Sequence, residues 1–427
     1  MQIRPTKPAM LSAPGAAALV ASSILARLPL AMFSIALLVH AQRLSGSFAV
    51  GGAVSGAYAI GGAVSAPVLG RLVDRCGQTW VLVSGATVSA LLLVAIGLVP
   101  RSAPPLLLVG LAGCSGLATP PVEACVRSLL PSIVAEPSGL PALFAFESTA
   151  LELTFVFGSP LALGLGLLWS TGAAVALSGL VMLASTLAFA AQPASRRWRP
   201  DADAQRPRGG SLRSPALRTL MLILLGTGAV FGATEVGVTA AAKALDSAAA
   251  AGPLLAVWGL GSLLGGIAAT RLGGGARRAG GLRLLLAALA LGHGALVLAT
   301  GSVLAIGAVI LLAGATIAPT ESTIALMVDR AALAGAHTEA FSWVVTASSA
   351  GAAVGAAVAG GLVQSAGAPA AFAFAAVCGG LAVAIAALGS PDAAALGSPD
   401  AAAPGSADAD ADRAASRPTG LPQPSPA

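Results

Sequence analysis

The sequence predicts an all-α membrane protein with twelve transmembrane helices in two pseudo-symmetric six-helix bundles. Three observations predict it: charge is scarce, twelve apolar runs have spanning length, and the two halves of the chain echo each other. Hydrophobic residues make up 56% of the 427 and charged residues 9%, with a mean hydropathy of +0.88. A soluble domain carries about 25% charged residues. This chain has too little polar surface to cover a water-facing globule, so lipid is the solvent for much of it.

A helix needs about 20 mostly apolar residues to cross roughly 30 Å of hydrocarbon. Runs of that kind cover residues 14–38, 47–69, 79–99, 105–127, 141–163 and 167–190. After a polar interruption they resume at 217–242, 248–270, 281–299, 302–328, 340–363 and 369–388. The first run follows Arg4 and Lys7 in the manner of a signal peptide, but it continues past Arg27 to Leu38. That is too long for a cleaved apolar region, so a retained first span is expected.

Charge placement agrees with an even count. With both termini cytoplasmic, the outer loops hold Arg43, Arg101 and Lys243, and the inner side holds nearly all other cations, Arg71, Arg75, Arg127, Arg271 and Arg330 among them. The positive-inside rule expects this alternation, which places the chain as a multi-pass protein of the cell inner (plasma) membrane. The net charge of +6 is explained the same way, and no nucleic-acid partner is expected. Cys76, Cys114, Cys125 and Cys378 lack metal-ligand spacing, so neither a metal nor another cofactor is expected.

The domain reading follows. Residues 1–13 form a cytoplasmic N-terminus, 14–191 the first bundle, 192–216 a cytoplasmic central linker, 217–388 the second bundle and 389–427 a tail. The linker carries Arg196, Arg197, Arg199, Arg206, Arg208 and Arg213 among prolines and reads as flexible and topology-setting. The tail repeats ALGSPDAA from Ala387 and Ala395 and is expected to be disordered. Between the halves, a shift of 200 places Tyr58 on Trp258, Gly61 on Gly261 and Arg71 on Arg271. A shift of 198 places Pro121 on Pro319 and Glu123 on Glu321. Such half-chain similarity is the trace of a duplicated transporter fold.

Between the second and third runs stands GRLVDRCGQ, residues 70–78. Gly70 and Gly77 permit a tight turn and close helix approach. Asp74 can face a helix N-terminus, where a carboxylate is favoured, and Arg75 can pair across the cytoplasmic seam. With Gly70, Asp74, Arg75 and Gly77 in this order, the chain resembles the major facilitator superfamily, drug/proton-antiporter-like members included. The resemblance implies a latch on the outward-facing state, formed by this loop. Gln78 and Thr79 depart from the basic residues usual in that family. The second-half counterpart, TRLGGGARR at 270–278, has Gly274 at the Asp74 position, so any latch is asymmetric. Gly158, Ser159, Pro160, Gly164 and Gly166 match the antiporter signature of the fifth span in part, and the fourth span lacks the central arginine of many proton-driven members.

Charges at membrane depth cost roughly 2.5–3.5 kcal/mol on insertion scales, so each is a site hypothesis. Glu152 lies near the middle of the fifth span, and Ser148, Thr149 and Ser159 share its helical face. This stripe is expected to face a central cavity, with Glu152 as proton carrier or substrate contact; the alternative is a structural interhelical hydrogen bond. Arg27 is an anchor for an anionic substrate or a partner for Glu152. Glu235, beside Thr234, is a further cavity candidate, and Glu321 a gating candidate. Glu147 is turned about 140° from Glu152 and lies nearer the cytoplasm, facing a different neighbour or snorkelling inward. Glu123 is expected to pair with Arg127 four residues on, and His293 to be a packed neutral side chain rather than a proton relay.

No enzyme is expected: His40, His293 and His337 are far apart, and neither HExxH nor GxSxG occurs. The reading is a secondary active transporter, working as a monomer by alternating access on a small amphipathic or hydrophobic molecule. With no nucleotide-binding GxxxxGK[ST] loop, protons are the expected energy source and efflux the favoured direction. A proton-coupled importer of one metabolite is the alternative, and a non-transporting receptor or sensor the second.

Overall fold

The computed structural model of the chain describes residues 16–134, 137–198, 210–274 and 279–389. The expected N-terminal segment, the middle of the linker and nearly all of the tail lie outside them.

The first half comprises α1 (Ala16–Ser45), α2 (Phe48–Cys76), α3 (Gln78–Leu98), α4 (Pro105–Ala118), α5 (Val122–Ile133), α6 (Leu140–Leu168) and α7 (Thr171–Ala190). A short α8 (Pro193–Arg197) and a 3₁₀ turn (Ser211–Arg213) follow. The second half comprises α9 (Pro215–Ala244), α10 (Ala251–Arg271), α11 (Ala279–Ala299), α12 (Val303–Gly314), α13 (Ile317–Ala331), α14 (His337–Ala366) and α15 (Ala368–Leu388). No strand occurs among the described residues. Among the described residues, eleven spans are long and apolar enough to cross a membrane. The expected fifth span is α6, whose 29 residues extend about 43 Å at 1.5 Å per residue.

The fourth and tenth spans differ from the single helices expected. Each is broken, into α4–α5 and α12–α13. Pro120 and Pro121 have no N–H to continue the α4 ladder; Val122 N–H closes a tight turn on the Pro120 carbonyl at 2.8 Å, and the ladder restarts with Cys125 N–H on the Pro121 carbonyl at 3.0 Å. Both spans also run past their expected ends, to Ile133 and Ala331.

The half-chain echo is physical. Gly61 of α2 and Gly261 of α10 lie against the backbone carbonyls of Gly113 in α4 and Leu311 in α12, with no room for a β-carbon. Small residues that let helix backbones touch replace the hydrophobic drive that lipid cannot supply. The aromatic pairs echo too: Phe33 meets Tyr58 edge-on at 5.2 Å, and Phe231 meets Trp258 edge-on at 5.8 Å.

The core locates the seam. One buried cluster joins Val73, Leu82, Val126 and Leu129 of the first half to Leu217, Leu220, Ile324 and Phe341 of the second. The other clusters stay within one half each. The halves are thus fused at the end that carries α8 and the 210–214 turn, called here the linker side.

Candidate functional site

The linker-side seam is built on the end of α2. Asp74 is 3% exposed, and its two carboxylate oxygens accept the backbone N–H groups of Thr338 (3.1 Å) and Glu339 (2.8 Å). These are the second and third residues of α14, whose first-turn donors have no partner within the helix. A carboxylate from the opposite half therefore caps α14 and meets the positive end of its dipole. Gly70, one turn earlier, leaves no space for a β-carbon beside Ser342 Oγ and the Thr338 carbonyl. Gly77 has open space around it but φ +90, so it serves the turn into α3 and not the contact.

The cation that crosses the seam is Arg71, in place of the expected Arg75. Arg71 Nε and Nη2 donate to Glu339 Oε2 (3.1 Å) and Oε1 (2.7 Å) in a bidentate pair, whereas Arg75 is exposed. Thr346 Oγ1 donates to the Ala63 carbonyl at 2.7 Å, and Thr338 Oγ1 to Ser128 Oγ at 3.3 Å.

The second-half counterpart shows why its acid is missing. Gly274 has φ +106, and a β-carbon there would collide with the backbone of Pro141 at the start of α6. Pro141, the second residue of the facing helix α6, moreover has no N–H to offer a carboxylate. Steric contact replaces the ionic cap. Gly274→Asp is accordingly expected to add no latch and to lower stability by about 1–3 kcal/mol from the backbone conformation alone, read as a fall in melting temperature of the purified protein.

Behind the seam lies a buried charge cluster. Glu147, 3% exposed, takes Arg27 Nη1 on Oε1 and Arg127 Nε on Oε2 (3.2 Å). Arg127 Nη1 also meets Glu123 Oε1 at 2.8 Å, the expected turn-to-turn pair. Arg27 is therefore bound to Glu147 and is not joined to Glu152. Glu147 faces different neighbours from Glu152, as expected, and does not reach for the surface; it is the shared acid of two arginines.

Glu152 is partly buried, and its Oε1 accepts Ser262 Oγ of α10 at 2.8 Å, a bond between the halves. No cation partners it among the described residues. Thr149 is not aimed into an open cavity: its hydroxyl bonds the Ala145 carbonyl at 2.6 Å and its side chain fills the notch at Gly266. Ser148 Oγ and Glu321 Oε1 are buried without a hydrogen-bond partner among the described residues. Arg127, Glu123, Glu147 and Glu152 are the charged neighbours of Glu321. Glu235 is exposed on α9; its backbone carbonyl accepts Thr239 Oγ1 at 2.9 Å, and its carboxylate has no hydrogen-bond partner among the described residues. His293 is fully buried. Trp258 Nε1 donates to its Nε2 (3.1 Å), which leaves Nδ1 to donate to the Leu289 carbonyl (2.8 Å).

Three of these residues escaped the sequence reading as site components: Arg71, Glu339 and Ser262. The comparisons agree with the geometry. No curated protein matches the sequence at significance. Among solved structures, the human organic anion transporter MFSD10 (TETRAN) aligns with TM-score 0.68 and 17% identity over 87% of this chain and 99% of that one. A bacterial homologue of the iron transporter ferroportin in an outward-facing state aligns with TM-score 0.68 and 18% identity over 87% and 98%. FucP, a transporter in the outward conformation, aligns with TM-score 0.64 and 19% identity over 87% and 97%. These likenesses carry the fold. Residues 19–338 match the description Major Facilitator Superfamily, and the chain, a multi-pass membrane transporter by fold and sequence, belongs to that superfamily.

Proposed function

We propose that the protein is a proton-coupled exporter of small amphipathic or hydrophobic molecules, working by alternating access between its two six-span halves. The observation that carries this reading is the Glu152–Ser262 bond. It joins the halves, and its carboxylate has no cation beside it among the described residues. Glu147 has two guanidinium groups to balance its charge; Glu152 has a hydroxyl, so a proton is the counter-charge within its reach. Taking up or losing that proton changes a contact the halves must break when they rock.

The positive-inside pattern makes the linker side cytoplasmic. With the seam closed there, the conformation is outward-facing, and Asp74, Arg71 and Glu339 are its latch. The pairing of Arg27 with Glu147 supports a pathway poor in fixed charge and suited to apolar cargo.

The test is accumulation of lipophilic dyes and antibiotics in an efflux-deficient bacterium expressing the chain. Cells with the protein are expected to accumulate less than empty-vector cells, and a protonophore should erase the difference. Equal accumulation with the protein verified in the membrane would sink export. Protonophore-sensitive uptake of a labelled metabolite would then support the importer.

A further inference from the structure

We infer that residues 210–214 of the central linker are a positioning element of the linker-side gate: their backbone clips over the Arg71–Glu339 pair and holds it closed. A linker read from sequence alone is a flexible tether. Its described ends are instead docked, each toward one of two adjacent residues at the start of α14, Glu339 directly and Thr338 through Gln78 and Ser128.

The C-terminal end reaches Glu339. This side chain is 3% exposed, and besides the Arg71 fork its Oε1 accepts the Ser211 N–H at 3.2 Å. Arg71 is 44% exposed, so the pair is open on one flank, and Gly210 lies on it. A β-carbon at Gly210 would collide with both Arg71 Nη2 and Glu339 Oε1. Gly210 also has φ +76 and ψ −170, a backbone conformation that favours glycine. Conformation and space thus demand glycine at one position for two separate reasons. The next residues anchor the clip: Ser211 is fully buried, Leu212 packs on the shared core, and Ser214 Oγ caps α9 through the Leu217 N–H at 3.3 Å.

The N-terminal end reaches Thr338. Ser195 of α8, fully buried, donates to Gln78 Oε1 at 3.1 Å. Gln78 Nε2 donates to Ser128 Oγ at 3.4 Å, and Thr338 Oγ1 donates to the same Ser128 oxygen. Gln78 is a position where the sequence leaves the basic pattern of its family resemblance, and a neutral amide is the side chain that can both accept from Ser195 and donate to Ser128.

The physical consequence is that Glu339 does not wait for Arg71 as a free carboxylate. The clip fixes its orientation and shields one face from water, which strengthens a charge-assisted bond that a fully solvated pair would largely lose to screening. Because 210–214 is continuous with α9, it travels with the second half and meets Arg71 when the halves close.

The experiment compares Gly210→Ala with wild type as the full-length protein in lipid nanodiscs, by amide hydrogen exchange of the peptide containing Thr338 and Glu339. Those amides are bonded to Asp74 in the closed seam, so their exchange reports its opening. Exchange in Gly210→Ala is expected to rise at least about threefold, and in an Arg71→Ala background Gly210→Ala is expected to add nothing, since contacting residues are non-additive. Ser211→Ala keeps the N–H donor and should behave as wild type. If Gly210→Ala fails to fold, Leu212→Ala loosens the clip without a collision and should raise exchange in the same peptide. The inference is overturned if wild-type exchange persists in Gly210→Ala or Leu212→Ala. It is overturned equally if either raises exchange as much with Arg71 removed, or if Ser211→Ala matches Gly210→Ala. None of these readouts depends on the transported substrate, so failure here is distinct from failure of the proposed export.

Discussion

Glu152→Gln is expected to abolish gradient-driven transport while leaving the protein folded and inserted. Glutamine keeps the size of the side chain and an oxygen that accepts Ser262 Oγ, a bond of 2.8 Å between α6 and α10. What it removes is the ability to gain and lose a proton. A two-state carrier whose coupling group is fixed in one form has no differential interaction through which a pH gradient can bias the equilibrium. In liposomes with an imposed pH gradient, uphill flux should fall to the protein-free level, while exchange of substrate across equal pH should persist. Ser262→Ala is the milder counterpart. It deletes one hydrogen bond worth about 0.5–1.5 kcal/mol and leaves the carboxyl titratable, so uphill flux should drop severalfold and survive. Full coupled activity in Glu152→Gln would remove the residue from the mechanism and turn attention to Glu321, whose buried Oε1 has no hydrogen-bond partner among the described residues.

The fold was legible because lipid imposes a coarse rule. Apolar runs near 20 residues translate directly into helices long enough to span, eleven of them among the described residues. Asp74 was legible for a similar reason: an acid at that spacing and a helix N-terminus are complementary whatever else surrounds them. The mistaken cation shows where finer phase matters. On α2, Gly70 and Arg71 lie four and three residues before Asp74, about 40° and 60° from it around the helix, whereas Arg75 is turned about 100° from it. The helix continues through Cys76, so the face toward α14 carries Arg71. Arg127 was placed at a membrane border because the fourth span was expected to stop there. Its helix runs on to Ile133, which buries Arg127 and brings it to Glu147. The Glu152–Ser262 bond and the Arg71–Glu339 pair join residues more than a hundred positions apart, and no local pattern in one chain encodes such proximity. Glu339 left one faint signal, an acid in the first turn of a span. Gly274 left another, a missing acid whose cause, Pro141 pressed against its backbone, needs three dimensions to see.

Glu147→Ala is expected to be the most destabilising single change. The carboxylate is 3% exposed and shared by Arg27, itself 1% exposed, and Arg127. Arg127 keeps Glu123 at 2.8 Å after the substitution; Arg27 loses its pair with Glu147 while remaining far from solvent. Truncating one partner of a buried pair costs about 3–5 kcal/mol, chiefly because the remaining charge is stranded, and arginine cannot shed its proton to escape. Membrane yield and the melting temperature in detergent should both fall sharply. The same physics predicts the rescue. A buried ion pair replaced by apolar side chains of similar volume is often neutral or better, so Arg27→Met combined with Glu147→Leu should recover most of the lost stability. Transport by the double variant then decides what Arg27 is for. Stability and dye export restored together make the Arg27–Glu147 pair a structural tie within the first half. Stability restored with transport still absent would return Arg27 to the substrate pathway, against the reading that its guanidinium is committed to Glu147.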